Sequence, residues 1–66
     1  MNEMEKLKKL LYHWQHHNDE HAEVYRAWAD KASNLGNKEL SKVLGKIYHE
    51  TKKMNGLFEK AIEAID

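Results

Sequence analysis

The sequence predicts an all-α protein: an antiparallel hairpin of two helices that pairs with a second copy to form a four-helix bundle. Three observations favour this fold. The 66 residues contain no proline and are rich in the helix-forming residues Ala, Leu, Lys and Glu. Apolar residues recur at alternating spacings of three and four along both halves of the chain. One short segment, residues 33–37, carries the signals that separate two helices, so we expect a single helical-hairpin domain over residues 1–66.

The first helix is predicted over residues 3–34. Asn2 suits the N-cap, and Glu5 stands three residues later, as in a capping box. The apolar pattern can be written as a heptad repeat in which positions a and d form the seam and position g widens it. The residues at a and d are Met4, Leu7, Leu11, Trp14, Asn18, His21, Tyr25, Trp28, Ala32 and Leu35, and those at g include Leu10, His17 and Val24.

A loop at residues 35–37 and a second helix over residues 38–65 follow. Gly36 suits the left-handed position after a helix, and Asn37 suits the next N-cap, with Glu39 in the first turn. The seam of the second helix consists of Leu40, Leu44, Ile47, Thr51, Met54, Phe58, Ala61 and Ile65, widened by Val43 and Leu57 on one side and by Tyr48 and Ile62 on the other.

These stripes are wider than a two-helix contact requires, which is typical of helices that touch two neighbours in a bundle. A chain of this size has marginal stability alone, and the absence of cysteine excludes disulfide bonds. We therefore expect a homodimer; the alternatives are a third helix from an unknown protein partner and a marginally stable monomer. The residues expected in the core and dimer interface are Leu7, Leu11, Trp14, Asn18, Tyr25, Trp28, Leu44, Ile47, Thr51, Met54, Phe58 and Ile62.

Polar residues interrupt the seam near the middle of the hairpin. Asn18 and His21 occupy seam positions, and Tyr25, Thr51 and Asn55 are predicted at a similar level. Burying polar groups costs free energy unless they find hydrogen-bond partners. A polar layer in an otherwise apolar seam therefore predicts a device that sets register and oligomeric state.

A histidine cluster gives an alternative interpretation. His13, His17 and His21 repeat every four residues, and histidines at this spacing share one helical face and can chelate one ion. The pair His17 and His21 lies at the seam edge, where a second chain could supply more ligands for Zn, Ni or Cu. Glu20 is the nearest carboxylate. The alternative is thus a metal-binding helical protein that uses His13, His17, His21 and Glu20 across a dimer. Apart from that alternative, His13, His16 and His49 are predicted to be solvated surface residues.

Other functions are disfavoured by composition. The 11 basic and 11 acidic residues give no net charge, so we expect neither nucleic acid nor membrane as a partner. No apolar run approaches the roughly 20 residues that span a bilayer, and the polar start does not resemble a secretory signal, which favours the cytoplasm. The sequence contains no nucleophile–base pairing or phosphate-binding loop. We expect a small cytoplasmic interaction and dimerisation module, not an enzyme.

Residues 13–29 follow the pattern H-W-x-x-H-N-x-x-H-A-x-x-Y-x-x-W-A, with His13, His17, Asn18 and His21 at its polar positions and His16 at a variable one. This pattern resembles short uncharacterised archaeal and bacterial helical domains. In those domains a second amphipathic helix follows, and the region around Asn55 and Leu57 is similar to theirs. The resemblance implies a helical hairpin and concerted use of the three histidines, and it implies no activity.

Overall fold

A computed structural model of the protein describes residues 2–65. It contains two helices, α1 (Glu3–Asn34) and α2 (Lys38–Ile65), which pack against each other along their length. The all-α helical hairpin is therefore confirmed. The Cα atoms span 52 × 16 × 10 Å, so the molecule is two helices wide and one helix thick.

The helix ends follow from local side chains. The Asn2 Oδ1 atom accepts a hydrogen bond of 2.8 Å from the Glu5 N–H, which confirms the N-cap. Gly36 has a φ of 91°, the left-handed conformation that glycine tolerates best. In the turn it forms, the Asn37 N–H donates to the Ala32 carbonyl at 2.9 Å. The Asn37 side chain then caps α2 by accepting from the Leu40 N–H at 3.0 Å.

The two helices meet along heptad positions a and e, not a and d. In α1 the least exposed residues are Leu11 and Ala32 at a and Ala22 at e. In α2, counted with Leu44, Thr51 and Phe58 at a, the buried Ile62 occupies e. The predicted place of His21 in the buried polar layer of the seam is therefore wrong, because position d of α1 turns away from α2 and His21 is exposed.

Small side chains in α1 explain why the helices meet along positions a and e. Ala22 is fully buried, with 0% of its surface exposed, and Ala29 and Ala32 continue the same strip toward the loop. They allow the helices to approach closely enough for the Ser41 hydroxyl to donate to the Ala29 carbonyl at 2.8 Å. A tryptophan at position d does not fit between helices held this close, so the large d residues lie on the flank of the contact. Within residues 2–65, neither helix combines the length and apolar character needed to cross a membrane.

Candidate interaction face and histidine cluster

One broad side of the hairpin is apolar and exposed. Because the helices are antiparallel and touch through positions a and e, positions d and g of both helices fall on the same side of the hairpin. We call this side the apolar face. Its members are large apolar residues with between about two fifths and three fifths of their surface exposed: Leu7, Leu10, Trp14, Val24, Trp28, Leu40, Val43, Ile47, Met54 and Leu57.

The residues expected in the core and interface divide between two places. One group lies in the contact between α1 and α2, and its members are Leu11, Asn18, Tyr25, Leu44, Thr51, Phe58 and Ile62. The other group lies on the apolar face of the single hairpin, and its members are Leu7, Trp14, Trp28, Ile47 and Met54.

Asn18 is the centre of the polar layer between the helices. Its side-chain amide donates to the Thr51 carbonyl at 2.8 Å and to the Asn55 side-chain oxygen at 2.7 Å. The Thr51 hydroxyl instead donates within its own helix, to the Ile47 carbonyl at 2.7 Å. The structure thus brings Asn18, Thr51 and Asn55 together at mid-hairpin. His21 takes no part in these hydrogen bonds, because it lies on the apolar face.

Asp19 and Lys52 extend this network onto the opposite side of the hairpin. One Asp19 carboxylate oxygen accepts from the Lys52 ammonium at 2.9 Å and from the Asn55 amide at 2.8 Å. Hydrogen bonds from Lys52 and Asn55, together with the Lys52 charge, lower the pKa of the Asp19 carboxyl below its usual 3.8. The same carboxylate raises the pKa of Lys52. Sequence reasoning missed this pair, since an a/d seam places Asp19 outside the contact.

The histidines form a ladder across the apolar face. Ring centroids are 5.1 Å apart between His13 and His17 and 5.5 Å apart between His17 and His21, and Tyr25 follows at 6.2 Å from His21. The first pair is stacked, whereas the rings of His17 and His21 are nearly perpendicular. The ladder begins at the outer edge of α1 and ends at the contact with α2.

The tentative metal ligands are only partly brought together. His17, His21 and Glu20 line one shallow depression together with Val24. The Glu20 carboxylate lies 3.9 Å from His16, on the solvent side of α1. Within a single copy, no three His, Cys, Asp or Glu residues among 2–65 form a group that could hold a metal ion. A metal site that uses the ladder would need further ligands.

Glu50 is a polar residue of this face that sequence reasoning missed. It occupies position g of α2, between the apolar residues Ile47 and Met54. With them it lines a groove of about 340 Å³ that reaches Asn18 at its floor; Val43, Lys46 and Thr51 complete the lining. The sequence carried one signal of this residue: position g of α2 is apolar at Val43 and Leu57 but charged at residue 50.

Comparison with known proteins identifies a family and no assigned activity. Residues 7–65 match a family model described as Domain of unknown function (DUF8180). No curated protein and no solved structure matches the chain. The family match agrees with the expectation of an uncharacterised family.

Replacing Asn18 tests the polar layer. Asn18→Ala removes two hydrogen bonds between the helices and should lower the free energy of unfolding by about 1–2 kcal/mol. Chemical denaturation monitored by circular dichroism measures this change. Gln15→Ala is the control, because the Gln15 amide makes one longer bond of 3.4 Å to the Asn55 carbonyl and should matter less. Equal effects of the two substitutions would contradict the central role of Asn18.

Acid should weaken the Asp19–Lys52 contact. Since the pKa of Asp19 is lower in the folded protein than in the unfolded chain, its stabilising contribution is complete above the unfolded value. That contribution is lost as the pH falls through the folded value. The Tm difference between the wild type and Asp19→Asn should therefore shrink between about pH 5 and pH 2. In a Lys52→Gln background the difference should be smaller at every pH, and a pH-independent difference would refute the linkage.

Proposed function

We propose that this chain, which belongs to the DUF8180 family, is a dimerisation module whose apolar face packs against the apolar face of a second copy. The observation that carries the proposal is the mismatch between buried and exposed apolar surface. Among the described residues, the buried apolar side chains are Leu11, Ala22, Ala32 and Ile62. Trp28 and Leu57, by contrast, are 52% and 60% exposed.

The size of the face suits a protein partner. One side of the hairpin measures 52 by 16 Å. This corresponds to about 800 Å², the area that each partner contributes to a standard protein interface. Burying a fully exposed large apolar side chain contributes about 1.5–3 kcal/mol, and side chains that are already about half covered contribute roughly half of that. Exposed apolar patches of this extent are typical of interaction sites, not of monomer surfaces.

A second copy is the partner that the geometry favours. The hairpin is one layer of helices, and two such layers stacked face to face make a four-helix bundle with one shared core. The two copies present identical faces, and a twofold axis makes such faces self-complementary. The role that we propose is therefore the assembly of two copies into a dimer, not catalysis. A different helical protein that covers the same face is the alternative partner.

Metal binding by the histidine ladder is the second candidate function. Two imidazoles at i and i+4, with ring centroids 5.5 Å apart, favour it. His17 and His21 lie on the face that would meet the second copy, so a dimer could supply the missing ligands for Zn, Ni or Cu. His13 lies one step up the ladder and Glu20 borders it. In this interpretation the dimer and the metal stabilise each other.

A charge placed on the apolar face should break the dimer. Ile47→Glu puts a carboxylate at the centre of the proposed interface in both copies, and we expect it to weaken dimerisation by at least about 100-fold. Sedimentation equilibrium measures the dissociation constant, and circular dichroism checks that the variant remains helical. Tyr12→Glu is the control, because Tyr12 is similarly exposed on the opposite side of the hairpin. A monomeric wild type would refute the proposed function.

Zinc titration separates the two candidate functions. If metal is bound by the folded protein, Zn²⁺ in excess should raise the Tm at fixed protein concentration, because ligand binding adds to folding stability. His21→Ala should abolish the rise, whereas His49→Ala should retain it, since His49 lies outside the ladder. An unchanged Tm in the wild type would exclude Zn²⁺ as a structural ligand and leave dimerisation as the role.

A further inference from the structure

We propose that the two copies are related by a twofold axis parallel to the helices, so that the second copy's Glu50 meets His17 and His21. Each α1 then lies on α2 of the other copy, and the dimer contains two identical polar sites of two imidazoles and one carboxylate. This inference rests on the proposed dimer and specifies its geometry. Neither site is complete within one chain.

Contacts across the hairpin fix the heights of these residues along the helices. Asn18 bonds to Thr51, Asp19 bonds to Lys52, and Ala29 bonds to Ser41. As residue numbers rise along α1, they fall along α2 at the same pace. Extending this register, His21 lies at the height of Glu50, about midway along the hairpin.

A rotation about an axis parallel to the helices leaves every height unchanged. In that arrangement α1 of one copy faces α2 of the other, and residues at equal height meet. His21 therefore meets the second copy's Glu50, and His17 lies one turn away on the same side of α1. Two further pairs are apolar: Val24 meets Ile47, and Trp14 meets Leu57. The polar residues at the middle of the hairpin thus contact each other across the interface and do not contact apolar side chains.

The other twofold arrangement places like with like. An axis that crosses the helices at their middle puts α1 on α1 and α2 on α2. The two Glu50 carboxylates then approach each other inside an apolar interface, where like charges repel and desolvation is costly. The imidazoles of His17 and His21 from both copies, four in all, then face one another, and no carboxylate accepts a hydrogen bond from them. Charge complementarity therefore favours the axis parallel to the helices.

The groove on the apolar face has the shape and lining that this arrangement needs. It lies between Ile47, Glu50 and Met54, with Asn18 at its floor, and its volume of about 340 Å³ accommodates an imidazole. Within one copy, Glu50 has an ion pair of 3.6 Å with Lys53 on the outside of α2. Both groups of that pair are about three quarters exposed, so it constrains Glu50 little. The carboxylate is available to accept a hydrogen bond from the second copy's His21.

The chemistry of this site links the two candidate functions. An imidazole N–H donor and a carboxylate acceptor satisfy each other and fix the register of the dimer. Two histidines and one glutamate are also a ligand set that Zn²⁺ accepts, with a fourth position left for water. Zinc bound at this face would therefore depend on Glu50 and not on Glu20.

Disulfide trapping distinguishes the two arrangements, because the native chain has no cysteine. Three single variants are prepared, Val24→Cys, Ile47→Cys and Trp14→Cys, and mixed in pairs in a thiol–disulfide redox buffer. Any disulfide formed is then between chains, and it requires Cα atoms within about 7 Å. We expect the 24–47 pair to dominate. A dimer that yields no 24–47 disulfide, or that yields a dominant 14–24 disulfide, overturns this inference and leaves the proposed dimer intact. A monomer by sedimentation overturns both.

The sign of one substitution tests the polar site itself. Glu50→Ala should weaken the dimer about tenfold, because it leaves His21 unpaired in the interface. In the alternative arrangement Glu50 faces the second copy's Glu50, and the same change would tighten the dimer by removing a repulsion, a result that overturns this inference. Glu59→Ala is the matched control, because Glu59 lies on the opposite side of the hairpin, and it should leave the dissociation constant unchanged. In a background that carries both His17→Ala and His21→Ala, Glu50→Ala should cost nothing further, whereas a full tenfold loss there would refute the contact.

Discussion

The two helices approach each other closely along a strip of small residues, and the positions of the large side chains follow from this approach. Ala22 is completely buried, and Ala32 is nearly so. Packing density requires large side chains to lie elsewhere when backbones come this near. The tryptophans and branched residues of positions d and g are therefore directed to one flank in both helices. A molecule that is one helix thick cannot bury them alone, and the apolar face is the consequence.

The polar layer has a different purpose from the apolar face, although the two lie side by side. Asn18 bonds to the backbone and to a side chain of α2, and Asp19 joins Lys52 and Asn55 beyond it. These directional bonds hold one helix at a defined height against the other, which apolar contacts alone do less strictly. That height matters beyond the hairpin, since it sets Glu50 level with His21. The register between α1 and α2 thereby sets the positions of the polar residues that we propose to meet the second copy.

The spacing of the histidines in the sequence predicts part of their arrangement in the structure. A repeat of four places His13, His17 and His21 on one ladder, and the structure gives ring separations of 5.1 and 5.5 Å. Spacing also suggested Glu20 as the nearest carboxylate, but in space Glu20 lies toward His16 on the solvent side. The carboxylate of the apolar face is Glu50, on the other helix. Proximity in the sequence therefore did not identify the carboxylate that shares a face with the histidines.

Local signals are sufficient to predict the helical hairpin, because helix propensity, the caps at Asn2 and Asn37, and the left-handed Gly36 are properties of short segments. The sequence also predicts that Asn18 and Asn55 belong to one polar layer, since heptad position and hairpin topology suffice for that. The side of each stripe that faces the other helix, in contrast, could be learned only from how the two helices pack. Positions d and e differ by one residue and flank a from opposite sides, so apolar periodicity permits either. In α1 the bulk of the side chains accounts for the outcome, because Ala22 and Ala29 pack inward at e while Trp14 and Trp28 turn outward at d.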